Sequence, residues 1–187
     1  MTRARVQPVL VTGATGRVGR AVVAELLGAG VPVRALTRRP ATAGLPATVE
    51  VVAGDLTVPD SLHSVLRGVG GVFLLWTAPP GTARAVVERL ASHTRRVVFL
   101  SSPHQTPHPF FQQPNPMARL HAEMERLIAA AGFESTFVRP GMFASNAQVW
   151  WGGAIRDGDV VSVALQRGRD GTYRRARHRG RGGARPV

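Results

Sequence analysis

The feature that most constrains this chain is a glycine-rich turn close to its first residues. Gly13, Gly16 and Gly19 stand at three-residue intervals directly after the apolar run Val9–Thr12. Glycine permits a tight turn and lets a backbone come within contact distance of a ligand. Apolar side chains then recur at helical spacing as far as Gly28. The free amides and positive dipole end of that helix point beyond the strand, which suits the pyrophosphate of a dinucleotide.

Strand and helix signals alternate along the chain as far as residue 143. The apolar runs that predict strands are Val9–Thr12, Val31–Leu36, Val49–Ala53, Val72–Leu75, Val97–Leu100 and Phe133–Val138. Repeated β-α-β units with short connections predict an α/β fold with a doubly wound, Rossmann-like parallel sheet. Ligands of such sheets bind beyond the carboxyl ends of the strands, which is where the glycine-rich turn lies.

Two further helices have recognisable starts. Thr57 with Asp60 three residues later has the spacing of a capping box, which predicts that a helix begins there. Asn115 followed by Pro116 predicts a second start, because a capping residue precedes a proline at the first helical position. This second helix is expected to end at Gly132.

The composition excludes several classes of protein. Because it has no cysteine, the chain cannot contain a disulfide, a thiolate metal site or a cysteine nucleophile. No apolar run approaches the roughly 20 residues that span a membrane. Glycines also interrupt the first apolar stretch, where a signal peptide would be continuous. A length of 187 residues suits one α/β domain, and we expect a cytoplasmic protein with a small-molecule substrate and no membrane partner.

The net charge of +13 is unevenly distributed. Residues 167–187 carry eight arginines against Asp170 alone and have almost no large apolar side chains. We therefore expect residues 166–187 to form a disordered basic tail. One interpretation is an arm for nucleic acid, which the rest of the chain does not support as a partner. The interpretation we favour is truncation or a frameshift, since a shifted GC-rich gene yields runs of Arg, Gly, Ala and Pro.

Four segments of the sequence resemble one known family. They are Thr12–Gly19, Val33–Pro40, Gly54–Leu56 and Phe137–Phe143. Together they are similar to the atypical short-chain dehydrogenase/reductases, and most closely to their NmrA-like, NAD(P)-binding branch. The resemblance implies a Rossmann-like NAD(P)-binding domain over residues 1–165. It also implies that the C-terminal region that completes the substrate pocket is incomplete here.

The cofactor contacts that the resemblance implies lie in the first and last of these segments. They are Gly13, Thr15, Gly16, Arg17, Val18 and Gly19 in the turn, with Pro140 and Gly141 near the end.

The choice between NADP and NAD depends on the residues after the second strand. An NAD-specific site normally has an acidic residue there for the ribose 2′-hydroxyl, but no acidic residue occurs between Glu25 and Glu50. Arg38 and Arg39 occupy the position instead. A guanidinium suits a 2′-phosphate, so NADP is the predicted cofactor, with NAD as the alternative and Arg38 as the first candidate. Two solvated surface arginines are the other interpretation.

Positions after the third and fourth strands have two interpretations each. The family reads the adenine edge with an acidic residue and the backbone that follows it, which implies Asp55 and Leu56. The alternative for Asp55 is a helix-capping role for Thr57 and its neighbours. The resemblance also implies that Trp76 and Thr77 lie near the nicotinamide ribose, although Trp76 is equally interpreted as packing.

The familiar catalytic pair of this superfamily is missing. Active members have a Tyr-x-x-x-Lys pair on the helix after the fifth strand, in which the lysine lowers the pKa of the proton-transferring tyrosine. Alignment through Glu125 and Leu127 puts Met117 at the tyrosine position and His121 at the lysine position. His121 is therefore a candidate to hold the nicotinamide ribose or to shuttle a proton. The alternative is a polar residue on the outer edge of an amphipathic helix.

Ser101 and Ser102 end the fifth strand, where the family has a serine that faces the nicotinamide. With His121 they complete the catalytic candidates, and neither has the partners of a hydrolase triad. The resemblance thus implies an NADP-linked oxidoreductase for a quinone-like or other small conjugated substrate, with catalysis supplied by orientation. The alternative is a non-catalytic NAD(P) redox sensor that acts through a protein partner, which the missing pair favours.

Two other groups of residues predict less. His104 and His108 lie four apart on a proline-rich loop, and that spacing aligns metal ligands only on a helix, so no metal site is predicted. The remaining aromatic candidates suit either an aromatic substrate pocket or ordinary packing. They are Phe110, Phe111, Trp150 and Trp151.

Overall fold

A computed structural model describes residues 6–104, 116–141, 143 and 146–157. The chain divides into two compact units, one of residues 1–102 and 116–139, the other of residues 103–115 and 140–187. The first unit contains the whole sheet. The second contributes one described helix, α5 (Asn146–Asp157). The basic segment 166–187 lies outside the described residues, as do the side chains of Phe110, Phe111 and Trp150.

Six parallel strands form one sheet in the order β3-β2-β1-β4-β5-β6. The strands are β1 (Val9–Val11), β2 (Val33–Thr37), β3 (Glu50–Ala53), β4 (Gly71–Leu75), β5 (Arg96–Leu100) and β6 (Glu134–Val138). This is the strand order of a Rossmann fold. The strands follow one another in sequence outward from β1 to β3 on one side, and from β4 to β6 on the other, so the order reverses between β1 and β4. The predicted fold class is confirmed, and each strand lies within two residues of its predicted bounds.

The helices of the first unit divide between the two faces of the sheet. They are α1 (Arg17–Gly28), α2 (Leu62–Val65), α3 (Ala83–Ala91) and α4 (Pro116–Ala130). Successive residues of a strand point to opposite faces, so Leu10 packs into the cluster formed with α2, α3 and α4. Val11 packs into a second cluster that contains Val23 of α1. In the described part of the chain, no helix is long and apolar enough to cross a membrane.

The predicted helix start at Thr57 is wrong. A 3-10 turn over Pro59–Ser61 leads into α2, and Ser61 stands before that helix without a side-chain capping bond. Thr57 donates its backbone N–H to the carboxylate of Asp55 at 2.8 Å. The local turn therefore outcompetes the capping box, since a short polar side chain readily bonds the backbone two residues on.

Candidate functional site

The glycine-rich turn closes through backbone contacts that need glycine. Gly13 has φ +61°, in the left-handed region that favours glycine. Its carbonyl oxygen accepts the N–H of Gly16 at 3.0 Å. A Cβ added at Gly19 would lie 2.1 Å from that same oxygen and 2.7 Å from the Cα of Ala14. The first turn of α1 is thus packed directly on the backbone of the glycine-rich turn.

The beginning of α1 suits an anion. Gly16 stands before the helix and contributes no side-chain capping bond, and the first helical turn contains no acidic residue. The first amides of a helix have no partner within it, and its dipole places partial positive charge there. Arg17, the first residue of α1, is exposed and adds a full charge. The residues present therefore fit the diphosphate of a nicotinamide nucleotide.

A threonine hydroxyl joins the two central strands where the strand order reverses. Thr12, 1% exposed, accepts the N–H of Leu75 at 2.7 Å and donates to its carbonyl oxygen at 2.9 Å. The side chain thereby continues the pairing of β1 with β4 by one further residue. In Rossmann folds, dinucleotides bind in the crevice beyond the strand ends at the point where the strand order reverses. Thr12 therefore fixes the end of β1 from which the glycine-rich turn begins.

Arg38, the first residue of the basic pair after β2, lies near Asp55, the acidic residue after β3. Arg38 and Arg39 are both exposed. The N–H of Thr57 lowers the pKa of Asp55 most, and the charge of Arg38 lowers it further. The bond to Thr57 closes a local turn and does not cap a helix, so the helix-capping alternative for Asp55 is wrong. The predicted adenine contact of Asp55 stays a prediction. The side chain of Leu56 is buried in the core, and the predicted contact of its backbone with adenine stays a prediction.

Trp76 and Thr77 follow β4 and have different surroundings. Trp76 is 7% exposed and packs within the larger core cluster. In the described part of the structure, its buried indole Nε1 has no hydrogen-bond partner. Thr77 is exposed. Trp76 therefore has a packing role, and the predicted ribose contacts of both residues stay predictions.

Two of the three catalytic candidates are in contact. Nδ1 of His121, on α4, lies 2.8 Å from the Oγ of Ser102, which follows β5. The imidazole also packs edge-on against Phe99, with ring centroids 5.6 Å apart. Ser101 is 3% exposed and its Oγ has no hydrogen-bond partner among the described residues. Ser102, rather than Ser101, is therefore the serine paired with the histidine.

One turn along α4, an ion pair between a buried glutamate and a partly exposed arginine fixes this helix to the end of β6. Glu125 is 6% exposed. One of its oxygens accepts the Nε of Arg139 at 2.8 Å, and the other accepts Nη2. The hydrogen bonds that Arg139 donates to Glu125 are the main cause that raises the pKa of Arg139. The guanidinium also lies 5.6 Å from the centre of the Phe137 ring.

Sequence reasoning did not predict the role of this pair or of Thr12. In the sequence, Glu125 gives only the alignment of α4, and Arg139 is one residue of a segment that resembles the family. Glu125 lies four residues after His121 and hence on the same helix face, but this spacing does not indicate the contact with Arg139 after β6. Pro140 and Gly141, in the second unit, are half-buried and exposed respectively, and their predicted cofactor contacts stay predictions.

Residues 13–158 match the profile of a family described as NAD(P)H-binding. The chain belongs to this family. The assignment confirms the NAD(P)-binding, short-chain-reductase-like family predicted from the sequence. The cofactor of this chain is accordingly a nicotinamide nucleotide.

Two curated relatives of this NAD(P)H-binding protein are reductases. A (4-alkanoyl-5-oxo-2,5-dihydrofuran-3-yl)methyl phosphate reductase of Streptomyces griseus is 39% identical over 159 residues, covering 82% of this chain and 54% of the relative. An NAD(P)H azoreductase of Xenophilus azovorans is 32% identical over 165 residues, covering 86% and 57%. The chain therefore spans little more than half the length of these relatives.

Two solved structures of one reductase superpose on this chain. The NADPH-dependent quinone oxidoreductase of Escherichia coli superposes with a TM-score of 0.67 at 26% identity, over 84% of this chain and 58% of that one. Its complex with NADPH matches with the same TM-score at 25% identity, over 84% of this chain and 60% of that one.

Proposed function

We propose that this chain is an NADPH-dependent reductase of small, conjugated, electron-poor compounds such as quinones. The observation that carries the proposal is the contact between His121 and Ser102, at the carboxyl edge of a sheet whose glycine-rich turn suits a nucleotide diphosphate. The compounds after which the relatives are named support the same class. They include a quinone, an azo compound and an oxo-dihydrofuran, which are all small acceptors with conjugated double bonds.

The proposed cofactor contacts follow the edge of the sheet. The turn from Gly13 to Gly19 holds the diphosphate, with Arg17 adding charge. Arg38 binds the 2′-phosphate, which favours NADPH over NADH because a guanidinium forms charge-assisted bonds with a phosphate. Asp55 and the backbone of Leu56 contact the adenine. A cytoplasmic location and the other assigned contacts remain predictions.

The chemistry divides between cofactor and protein. When bound, the reduced nicotinamide supplies a hydride to one atom of the conjugated acceptor. Electroneutral reduction then needs one proton at the other end of that conjugated system. The pair of His121 and Ser102 moves this proton: the Ser102 hydroxyl donates it and the imidazole re-protonates the hydroxyl through the 2.8 Å contact. An imidazole exchanges protons in the neutral range, as this step requires.

The absent tyrosine is consistent with this substrate class. A carbonyl must receive a proton on its oxygen as the hydride arrives, which makes a strong, well-placed acid important. A quinone or azo acceptor spreads the incoming charge over its conjugated system, so positioning supplies more of the catalysis. Met117, at the aligned tyrosine position, is 54% exposed and has no proton to donate.

The experiment is titration of the chain with NADPH and NADH, followed by cofactor-consumption assays with quinones and azo compounds. His121→Gln and Ser102→Ala should retain NADPH binding and lose about 10²-fold in turnover, a typical loss for a proton-transfer group. His63→Gln is the control, since His63 is an exposed histidine on α2. Full turnover by both variants would refute the assigned proton path.

The second candidate function is a redox sensor that binds the cofactor without turnover. The missing Tyr-x-x-x-Lys pair favours it. Tight binding with no consumption of NADPH on any acceptor, together with unequal affinity for the oxidised and reduced cofactor, would support the sensor over the reductase.

A further inference from the structure

Arg20 joins two loops that lie far apart in the sequence. Its Nε donates to the carbonyl oxygen of Thr15 at 3.0 Å. Its Nη1 donates to the carbonyl of Gly44 at 2.6 Å, and its Nη2 to that of Ala43 at 2.8 Å. One guanidinium thus binds the glycine-rich turn and the connection between β2 and β3 together. We call these three hydrogen bonds the Arg20 clamp.

The two clamped loops carry the two groups of phosphate-binding candidates. Thr15 belongs to the turn assigned to the diphosphate. Ala43 and Gly44 follow the 3-10 turn Pro40–Thr42, which begins directly after the basic pair 38–39. Gly44 has φ +57°, a conformation that favours glycine and keeps its carbonyl within reach of the guanidinium. The clamp therefore limits how far the basic pair can move from the diphosphate turn.

Arg20 is a positioning residue rather than a phosphate ligand. A guanidinium has five N–H donors in a rigid fork, and the clamp uses three of them on backbone carbonyls. Lysine has the same charge on a single ammonium group, which cannot span three carbonyls of two loops with the same geometry. The shape of the side chain, and not its charge alone, makes the clamp.

We propose that Arg20 sets the preference of the site for NADPH over NADH by holding the basic pair at a fixed distance from the diphosphate turn. The inference rests on the proposed function. The two cofactors differ only in the 2′-phosphate, so NADPH engages both clamped loops, whereas NADH engages mainly the glycine-rich turn. Loosening the clamp therefore weakens the binding of NADPH more than that of NADH, because only NADPH has a 2′-phosphate whose contact with the basic pair depends on the clamp.

The test compares Arg20→Lys and Arg20→Gln with the wild-type chain by titration with each cofactor and by amide hydrogen exchange. We expect the Kd for NADPH to rise about tenfold and that for NADH to change less than about twofold in both variants. Exchange should become faster at residues 13–16 and at 40–44 together. The Tm should hardly change, since Arg20 is exposed and exposed contacts contribute little to stability.

Arg84→Lys is the matched control, an exposed arginine on α3, across the sheet from α1. It should leave both affinities unchanged. Equal weakening of the two cofactors, an unchanged Kd for NADPH, or faster exchange in one loop only would each overturn the clamp. Failure of the wild-type chain to bind either cofactor would instead overturn the proposed function, and the exchange measurement would still decide whether Arg20 couples the two loops.

Discussion

Replacement of Gly19 by alanine tests the central claim that α1 is packed on the backbone of the glycine-rich turn. The added Cβ would lie 2.1 Å from the carbonyl oxygen of Gly13. An ordinary contact is 3.4 Å or longer, so that oxygen would have to move by more than about 1 Å. The oxygen also accepts the N–H of Gly16, so this movement breaks the bond that closes the turn.

The expected cost follows from two opposing effects. Glycine to alanine within a helix ordinarily stabilises a protein by about 1 kcal/mol. Overpacking costs about 1–3 kcal/mol, and contact with backbone belongs at the upper end because backbone cannot change rotamer. The net loss is therefore about 2 kcal/mol, which corresponds to a fall in Tm of about 4–8 °C for a chain of this size.

The same change should weaken cofactor binding, because the amides of the turn move with the carbonyl. A displacement of about 1 Å at a binding group costs at least about tenfold. Thermal unfolding and titration with NADPH measure the two effects. Gly28→Ala is the control, since it lies in the same helix and an added Cβ there meets nothing within 4 Å. If Gly19→Ala kept both the wild-type Tm and the wild-type Kd, the packing argument would be refuted.

Three further predictions concern the supports of the site. Thr12→Val should lower the free energy of unfolding by about 1–3 kcal/mol in urea titration because a buried backbone N–H loses its partner, whereas Thr12→Ser, which keeps the hydroxyl, should cost less. Glu125→Gln should lower the free energy of unfolding by about 1–3 kcal/mol in the same titration, less than for fully buried pairs because Arg139 is partly exposed. An unchanged free energy of unfolding would contradict the structural role of the pair. Because the pKa of Asp55 is lowered in the folded state, its charged form stabilises the fold above the unfolded-state pKa of about 4, and this stabilisation is lost as the pH falls through the folded-state pKa. Asp55→Asn should therefore remove that part of the fall in Tm at acid pH. A pH profile of Tm identical to that of the wild-type chain would argue against this role.

The strands were predictable because a short apolar run between glycines and prolines forms few structures other than a buried strand in an α/β chain. The largest difference is at β2, predicted from Val31 and observed from Val33. Pro32 has no N–H, but its carbonyl oxygen accepts the N–H of Val9 at 2.9 Å. The prediction thus included a residue that takes part in the pairing without belonging to the strand.

The supports of the site were less predictable, since they depend on contacts between distant parts of the chain. Arg20 binds carbonyls 23 and 24 residues away, and backbone carbonyls leave no signature in a sequence. Ser102 and His121 were each predicted singly. Their pairing depends on how α4 lies against β5, which hydrophobic periodicity does not specify beyond the buried face.

The shortest strand of the sheet has a consequence for engineering this chain. β1 has only three residues, yet Leu10 and Val11 serve opposite layers of the interior. Deleting or inserting one residue within β1 would exchange these layers and send each side chain to the wrong side. Grafts and tags are therefore best joined ahead of Val9, where the count along the strand is undisturbed.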